Sequence, residues 1–452
     1  MCIRFVVLTV ALALATAGLA QGAGFALIEQ SVTGLGNAFA GSTASAQDAT
    51  TIFYNPAGMT LLPGQQVIAG LHYVAPSAKF QKTEARNALG LDISGGNGGD
   101  GGESGLVPNL FHSVNPGGRL AFGLGITAPF GLTTEYPFDW VGRYHAVKSD
   151  LKTININPSL AFKVTDRLSL GAGVSAQYID VQLTSMVDFG LAAFQQSGGN
   201  PALLPLVSNH DADVYADLNA DDWGAGYNLG LLYEISDQTR IGLAYRSRIL
   251  HTLKGDAGFT LVNQAFLAGA GLDGAALARF SPQGISGKVE LPASASLGFF
   301  SQLTPAWAVM ADVMWTDWSS FDELLIQFDG TLAATPSLTT ENWDDNWRYA
   351  IGASFTPGET WILRLGLAYD ETPIPDAFRT PRIPGEDRFW TAIGGGYRLN
   401  ENVRFDLAYV HLFVRDSKVM RAAAGEDLSR GSLFGSYDNA VDILSGQLTC
   451  SF

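Results

Sequence analysis

The chain has almost no cysteine, and the two it has lie near its ends, Cys2 and Cys450. Cys2 falls in a stretch that reads as an export signal. One cysteine is then expected in the mature chain, too few for an internal disulfide or a Cys-based metal cluster. Long apolar runs are missing as well. The run from Phe5 to Ala17 is too short to span a bilayer as a helix, and no later segment offers the roughly eighteen apolar residues required. Charge is scarce at 15%, and 43 Asp and Glu outnumber 27 Lys and Arg. That balance argues against nucleic acid as a partner, because phosphate binding needs clustered Lys and Arg. The six His residues show no metal spacing. Gly-x-Gly-x-x-Gly occurs at Gly96/Gly98/Gly101 and at Gly269/Gly271/Gly274, in neither case inside a strand–helix unit, so no dinucleotide site is expected. There is no Gly-x-Ser-x-Gly and no P-loop. Cofactors and metals are expected to play no part.

What is present begins with the signal itself. Arg4 supplies the positive end, Phe5 to Ala17 the apolar run, and Gly18 to Gly22 a small-residue exit, so residues 1–22 read as a cleaved leader. After it, alternation dominates. Leu168, Leu170, Ala172, Val174, Ala176 and Tyr178 share one strand face, with Ser169, Gly171, Gly173, Ser175 and Gln177 on the other. Trp361, Leu363, Leu365 and Leu367 oppose Arg364 and Gly366. Phe405, Leu407 and Tyr409 oppose Arg404 and Asp406. Strands of about ten residues, apolar outside and polar or small inside, mark a transmembrane barrel. Aromatics such as Trp307, Trp361, Tyr369 and Tyr397 sit at strand ends, where interface girdles belong.

Connections alternate too. Short turns fall at Asn115-Pro116-Gly117-Gly118, Thr165-Asp166-Arg167, Ser236-Asp237-Gln238 and Pro357-Gly358. Long loops are expected near Ser185 to Ala220, Asp256 to Ser286 and Pro373 to Glu386. The expected fold is all-β: an antiparallel barrel of about fourteen strands over residues 64–452, an even number as bacterial barrels require. Ahead of it, residues 23–63 have neither a period of two nor a helical stripe. They are rich in Gly and Ala, carry only Glu29 and Asp48 as charges, and end near Asn55-Pro56. Such a segment cannot fold alone but can fill a lumen, so it reads as a plug.

The last strand ends in Phe452, which resembles the signal read by outer-membrane assembly machinery. Together with Ala23-Gly24-Phe25, Gly34-Leu35-Gly36, Asn55-Pro56-Ala57, Phe130-Gly131-Leu132, Gly142-Arg143-Tyr144, Trp315 to Trp318 and Asp387-Arg388-Phe389-Trp390, the order of parts resembles the FadL/TodX family. The resemblance implies a Gram-negative outer-membrane transporter, not an enzyme, for long-chain fatty acids or other hydrophobic compounds. It also implies a route. Substrate is caught by apolar outer loops, moves to a barrel pocket, and leaves sideways at a kinked third strand when the plug shifts. A monomer in contact with outer-membrane lipid and lipopolysaccharide is expected.

Residue by residue, the gate would comprise Phe25, Asn55, Pro56 and Ala57 of the plug, with Gly123, Gly125, Pro129 and Gly131 of the third strand. Pro129 cannot donate to the ladder, and glycines weaken a strand. The bland alternative is that Pro129 marks the strand's end. Two apolar loops would capture substrate through Phe189, Leu191, Phe194, Leu203, Leu204, Phe259, Phe266, Leu267 and Phe280, unless they merely pack on each other. Alternation aims Arg246, Arg248, Arg348, Arg364, Arg398 and Arg404 inward. One of Arg246, Arg348, Arg364 and Arg404 could hold a carboxylate, or all could brace the wall through Asp312, Asp370 and Asp406. The family's basic anchors correspond here to Ser185 and Thr339. Either another Arg serves, or the substrate is an uncharged aromatic or alkane. A lipid-acting enzyme and an aqueous porin stand as the other classes, and neither has a motif behind it. The acidic run Asp211, Asp213, Asp217, Asp221 and Asp222 reads as a solvated loop, with divalent-bridged lipopolysaccharide as the alternative.

Overall fold

The computed structural model describes residues 24–452; the expected leader lies outside them. The alternating stretches form one closed antiparallel barrel of fourteen strands, six of them interrupted. In chain order they are β1 (Gly64–Arg86), β2 (Gly105–Asn115), β3 (Leu120–Thr127 with Gly131–Glu135), β4 (Lys148–Lys163), β5 (Leu168–Val187), β6 (Val214–Glu234) and β7 (Thr239–Arg246 with Ile249–Leu261). Then follow β8 (Gln283–Leu291 with Ser294–Gln302), β9 (Trp307–Thr316 with Glu323–Phe328), β10 (Ser337–Thr340 with Asn346–Phe355), β11 (Trp361–Asp370), β12 (Arg388–Asn400), β13 (Val403–Val414 with Ser417–Arg421) and β14 (Ser432–Ser451). β1 closes the wall against β14, from Gln66↔Ser451 to Arg86↔Ser432.

The wall is apolar outside because a bilayer rewards it and polar inside because the lumen permits it. Leu365 and Leu407 are exposed on the outer face, while their neighbours Arg364 and Asp406 are buried. Outward aromatic pairs mark the rims. Trp307–Phe355 and Trp361–Tyr397 sit near the short turns with centroids 4.6 and 4.8 Å apart, and Tyr178–Trp223 lies toward the loops at 5.4 Å. The loops are shorter than expected, because several strands run on past the bilayer. β5 extends to Val187 and β6 begins at Val214, leaving a helix (Phe189–Gln196) and 3₁₀ turns between them.

The plug fills the lumen as short helices, Val32–Leu35 and Thr51–Tyr54, followed by a 3₁₀ turn, Pro56–Leu61. Its small residues let it lie against the wall. A Cβ on Gly366 of β11 would meet the Asn37 carbonyl carbon at 2.0 Å. Polar side chains tie it on many sides. Asn37 Nδ2 donates to the carbonyls of Ala353 and Leu365, and Asn55 Nδ2 to those of Thr43 and Leu231. Asp48 accepts from Arg404 at 2.7 Å, and Arg404 in turn meets Asp406.

Candidate functional site

The wall has a discontinuity at β3. Its first half pairs with β4 from Leu120↔Phe162 to Thr127↔Asn155, and its second half resumes at Gly131↔Lys152. Three residues, Ala128, Pro129 and Phe130, stand opposite two on β4, so a bulge turns the strand there. β2 pairs with β1 along its whole length but with β3 only from Leu110↔Ile126 to Val114↔Phe122. The outer half of β2, which includes Pro108, therefore has no β3 ladder. Along the edge of this break run Asn109, Thr127 and Asn155. Asn109 Oδ1, Thr127 Oγ1 and both polar side-chain atoms of Asn155 are buried there without a protein partner.

The first plug residues close this break. Ala26 bridges Phe130, Leu27 N donates to Pro129 O at 2.8 Å, and Gly131 N donates to Phe25 O at 2.9 Å. Gln30 completes the seal. Its Nε2 donates to Ala128 O at 2.8 Å, and its Oε1 accepts from Ala128 N at 3.3 Å. An open strand edge in lipid costs several kcal/mol per unsatisfied group, and the plug segment supplies from the lumen what the bulge removes.

Phe25 also belongs to a cavity. Its ring packs on Trp318, Phe321, Trp343 and Phe130 at centroid distances of 4.8, 5.8, 5.9 and 6.1 Å. Gly24 is required beside it, at φ +62°, where a Cβ would strike Trp343 at 2.7 Å. Above this cluster lies an apolar cavity of about 830 Å³, lined by Phe25, Leu151, Val181, Leu253, Val289 and Leu324, with Glu341 and Arg382 among its few charged groups. A second cavity of about 800 Å³ lies below, between plug and wall, and includes Leu27, Tyr54, Pro129, Phe130, Arg246 and Asp312. The Phe25–Phe130 contact stands between the two.

The other expected site residues fall as follows. Asn55, Pro56 and Ala57 do not face β3. They press on β5, β6 and β7, where Gly171 and Gly230 make room for them. Against the first half of β3, at Gly123, lie Ile52 and Met59 of the plug. A Cβ on Gly123 would lie 2.4 Å from Met59 Sδ and 2.7 Å from Ile52 Cδ1, and one on Gly125 would lie 3.1 Å from Phe111. Both glycines sit in an unbroken ladder, so they admit the plug rather than weaken the strand. Of the capture residues, Phe189, Leu191, Leu267 and Phe280 are buried against one another and their neighbours. Phe194, Leu203, Phe259 and Phe266 are partly covered, and Leu204 is exposed. The loops thus cap each other, as the bland reading had it.

The lumen arginines are engaged. Arg364 and Arg404 share Asp406, Arg348 donates to Ala38 O at 2.7 Å, and Arg246 donates to Phe53 O at 2.8 Å while stacking on the Phe53 ring. Arg248 and Arg398, expected inside, are exposed; Arg248 pairs with Glu290 and Asp317. Asp213 of the acidic run is buried against Arg143 at 2.8 Å, which removes it from any solvated loop. The residues missed by sequence reasoning are Gln30 and Arg382.

Comparison with known proteins agrees with this geometry. A family profile described as outer membrane protein transport protein (OMPP1/FadL/TodX) matches residues 13–452. The long-chain fatty acid transport protein of Escherichia coli K12 is 31% identical over 407 residues, 87% of this chain and 88% of that one. Outer membrane protein P1 of Haemophilus influenzae is 32% identical over 423 residues, 88% of each chain. The crystal structure of a Pseudomonas aeruginosa FadL homologue superposes with a TM-score of 0.85 at 26% identity, covering 95% of this chain and 100% of that one.

Proposed function

The chain belongs to the OMPP1/FadL/TodX family of outer-membrane transport proteins, and on that premise we propose that it takes up long-chain fatty acids by a gated lateral route. Membership places it in the outer membrane as a channel for hydrophobic compounds, not as an enzyme. The finer reading rests on one observation: the plug stretch that seals the break in β3, Phe25 to Gln30, begins with Phe25, which lines the apolar cavity. A chain entering the cavity presses on Phe25. Moving Phe25 withdraws the backbone bonds to Pro129 and Gly131 and exposes the gap between β2 and β3. The acyl chain then slides into the outer leaflet, while its head passes Asn109 Oδ1, Thr127 Oγ1 and the Asn155 amide, which have no protein partner. No aqueous channel is needed, since the plug remains in the lumen. The buried loop clusters guide substrate to the cavity mouth rather than offering an open groove.

The test is uptake of labelled oleate by a host lacking its own fatty acid transporter, with and without this chain. Uptake that depends on the chain supports the reading. Equal uptake in both, with toluene uptake restored instead, would reassign the substrate to neutral hydrocarbons.

A further inference from the structure

Most arginines of the outer loops are already neutralised. Arg421 meets Glu426 and Asp427 at 2.5 and 2.6 Å, Arg430 meets Asp427 at 3.0 Å, and Arg379 engages Asp376 and Glu386. Arg382, three residues after Arg379, has no carboxylate partner among the described residues. Its Nη1 donates to Lys148 O at 3.1 Å and Ser149 Oγ at 2.9 Å, and its Nη2 donates to Thr184 O at 3.3 Å. These neutral acceptors fix the guanidinium plane and leave its charge uncompensated. The side chain is only partly buried, and it lines the apolar cavity above Phe25.

A second group completes the site. Glu341 lines the same cavity, is 5% exposed and forms no ion pair among the described residues. Its Oε2 accepts from Trp343 Nε1 at 2.9 Å, and Trp343 packs on Phe25. Burial pushes the Glu341 carboxyl up to about 8, against the pull of Trp343, Arg421 and Arg382 and with the push of Glu426. It is therefore protonated at neutral pH and able to donate. Burial lowers Arg382 to about 10, with Arg430 lowering it further and Glu341 and Tyr136 raising it, so it stays charged.

We propose that Arg382 is the head-group anchor of the outer cavity and makes it select long-chain carboxylic acids over neutral hydrocarbons and alcohols. The carboxylate takes charge-assisted bonds from the guanidinium, and the acyl chain lies along Leu151, Val181, Leu253 and Val289 toward Phe25. Protonated Glu341 donates to the second carboxylate oxygen. Above its pKa, Glu341 becomes an anion that repels the ligand, so acid binding weakens as pH rises. The proposal rests on the uptake reading above.

The test uses the mature barrel in a neutral maltoside detergent, with oleate and oleyl alcohol titrated by calorimetry. R382M is expected to weaken oleate binding roughly ten- to hundredfold, the effect of losing a hydrogen bond to a charged group, and to leave oleyl alcohol unchanged. R382K should recover part of the loss, and heat-modifiable migration on a gel reports folding. Wild-type affinity for oleate should fall between pH 7 and pH 9, whereas E341Q should be flat over that range. R382M binding oleate as wild type does, or losing oleate and alcohol alike, overturns the anchor while leaving the uptake reading intact. Wild type binding neither probe overturns both.

Discussion

The seal at β3 can be locked covalently. Leu27 N→Pro129 O and Gly131 N→Phe25 O flank the Ala26↔Phe130 bridge, which makes it a non-hydrogen-bonded antiparallel pair. Such pairs have Cα atoms about 4.5 Å apart, inside the roughly 4.4–6.8 Å that a disulfide accepts. Ala26→Cys with Phe130→Cys, in a Cys450→Ala background, should therefore crosslink the plug to the wall. Four hydrogen bonds hold the seal: the two backbone bonds and the two from Gln30. At about 0.5–1.5 kcal/mol net each, opening costs about 2–6 kcal/mol before Phe25 leaves its ring cluster. The resting open fraction is then at most about 3%. The crosslink removes even that, so oleate uptake by oxidised cells should drop to the level of cells without the barrel. Dithiothreitol should restore it, and the reduced protein controls for the lost Phe130 ring. Uptake by a demonstrably oxidised barrel at the reduced rate would refute both the moving segment and the side exit.

The same opening cost sets a chain-length threshold. At about 0.8 kcal/mol per buried methylene, roughly three to eight methylenes offset it, so competition assays should show oleate and palmitate far ahead of hexanoate; equal competition by hexanoate would contradict the gate. Deleting Ala128 removes the extra residue opposite β4 and should let β3 pair through, cutting uptake at least tenfold without loss of folded barrel, as read by labelled oleate and gel migration. Gly123→Val drives a side chain into Met59 and Ile52, and should unseat the plug while leaving the wall intact. Planar-bilayer recordings should then show small-ion conductance that the parent lacks, and a silent variant would mean that the plug accommodates the added bulk.

The wall was legible because each of its residues faces one of two solvents. Leu363 and Arg364 differ so sharply in polarity that adjacent positions reveal the pleat, and the same contrast recurs at Phe405 and Asp406. The plug offers no such contrast, since lumen and wall surround it on all sides. Hence Asn55-Pro56 was expected at β3 and is found against β5, β6 and β7, although its Pro and Asn do start a 3₁₀ turn. The Ala26–Phe130 bridge joins stretches about a hundred residues apart through backbone atoms, which leave no trace in residue type. Gln30 stands between Glu29 and Ser31, so residue type alone does not single it out. Arg382 is harder. Its loop holds Arg379 and Arg382 with Asp376, Glu386 and Asp387, and only geometry tells which arginine is left over.

The proposed movement involves only six residues, and the rest of the plug is tied firmly. Residues 32–62 are fastened to the wall by Asn37, Thr43, Asp48 and Asn55, each bonded to a strand remote from β3. Asp48 is buried, and parting it from Arg404 would strand a charge, at about 3–5 kcal/mol. Phe25 to Gln30, by contrast, meet β3 at a half-strength ladder, because Pro129 returns no N–H to Leu27 O. The weak attachment adjoins the apolar cavity through Phe25, and none of the four strong tethers lines that cavity. Displacement should therefore proceed by peeling from the N-terminal end rather than by ejection of the plug. Hydrogen exchange with and without oleate separates the two: peeling deprotects the amide of Leu27 and the β3 amides of Ala128 and Gly131, while Asn55 and Thr43 keep their protection. Deprotection spread evenly over residues 25–62 would instead mean that the whole plug leaves.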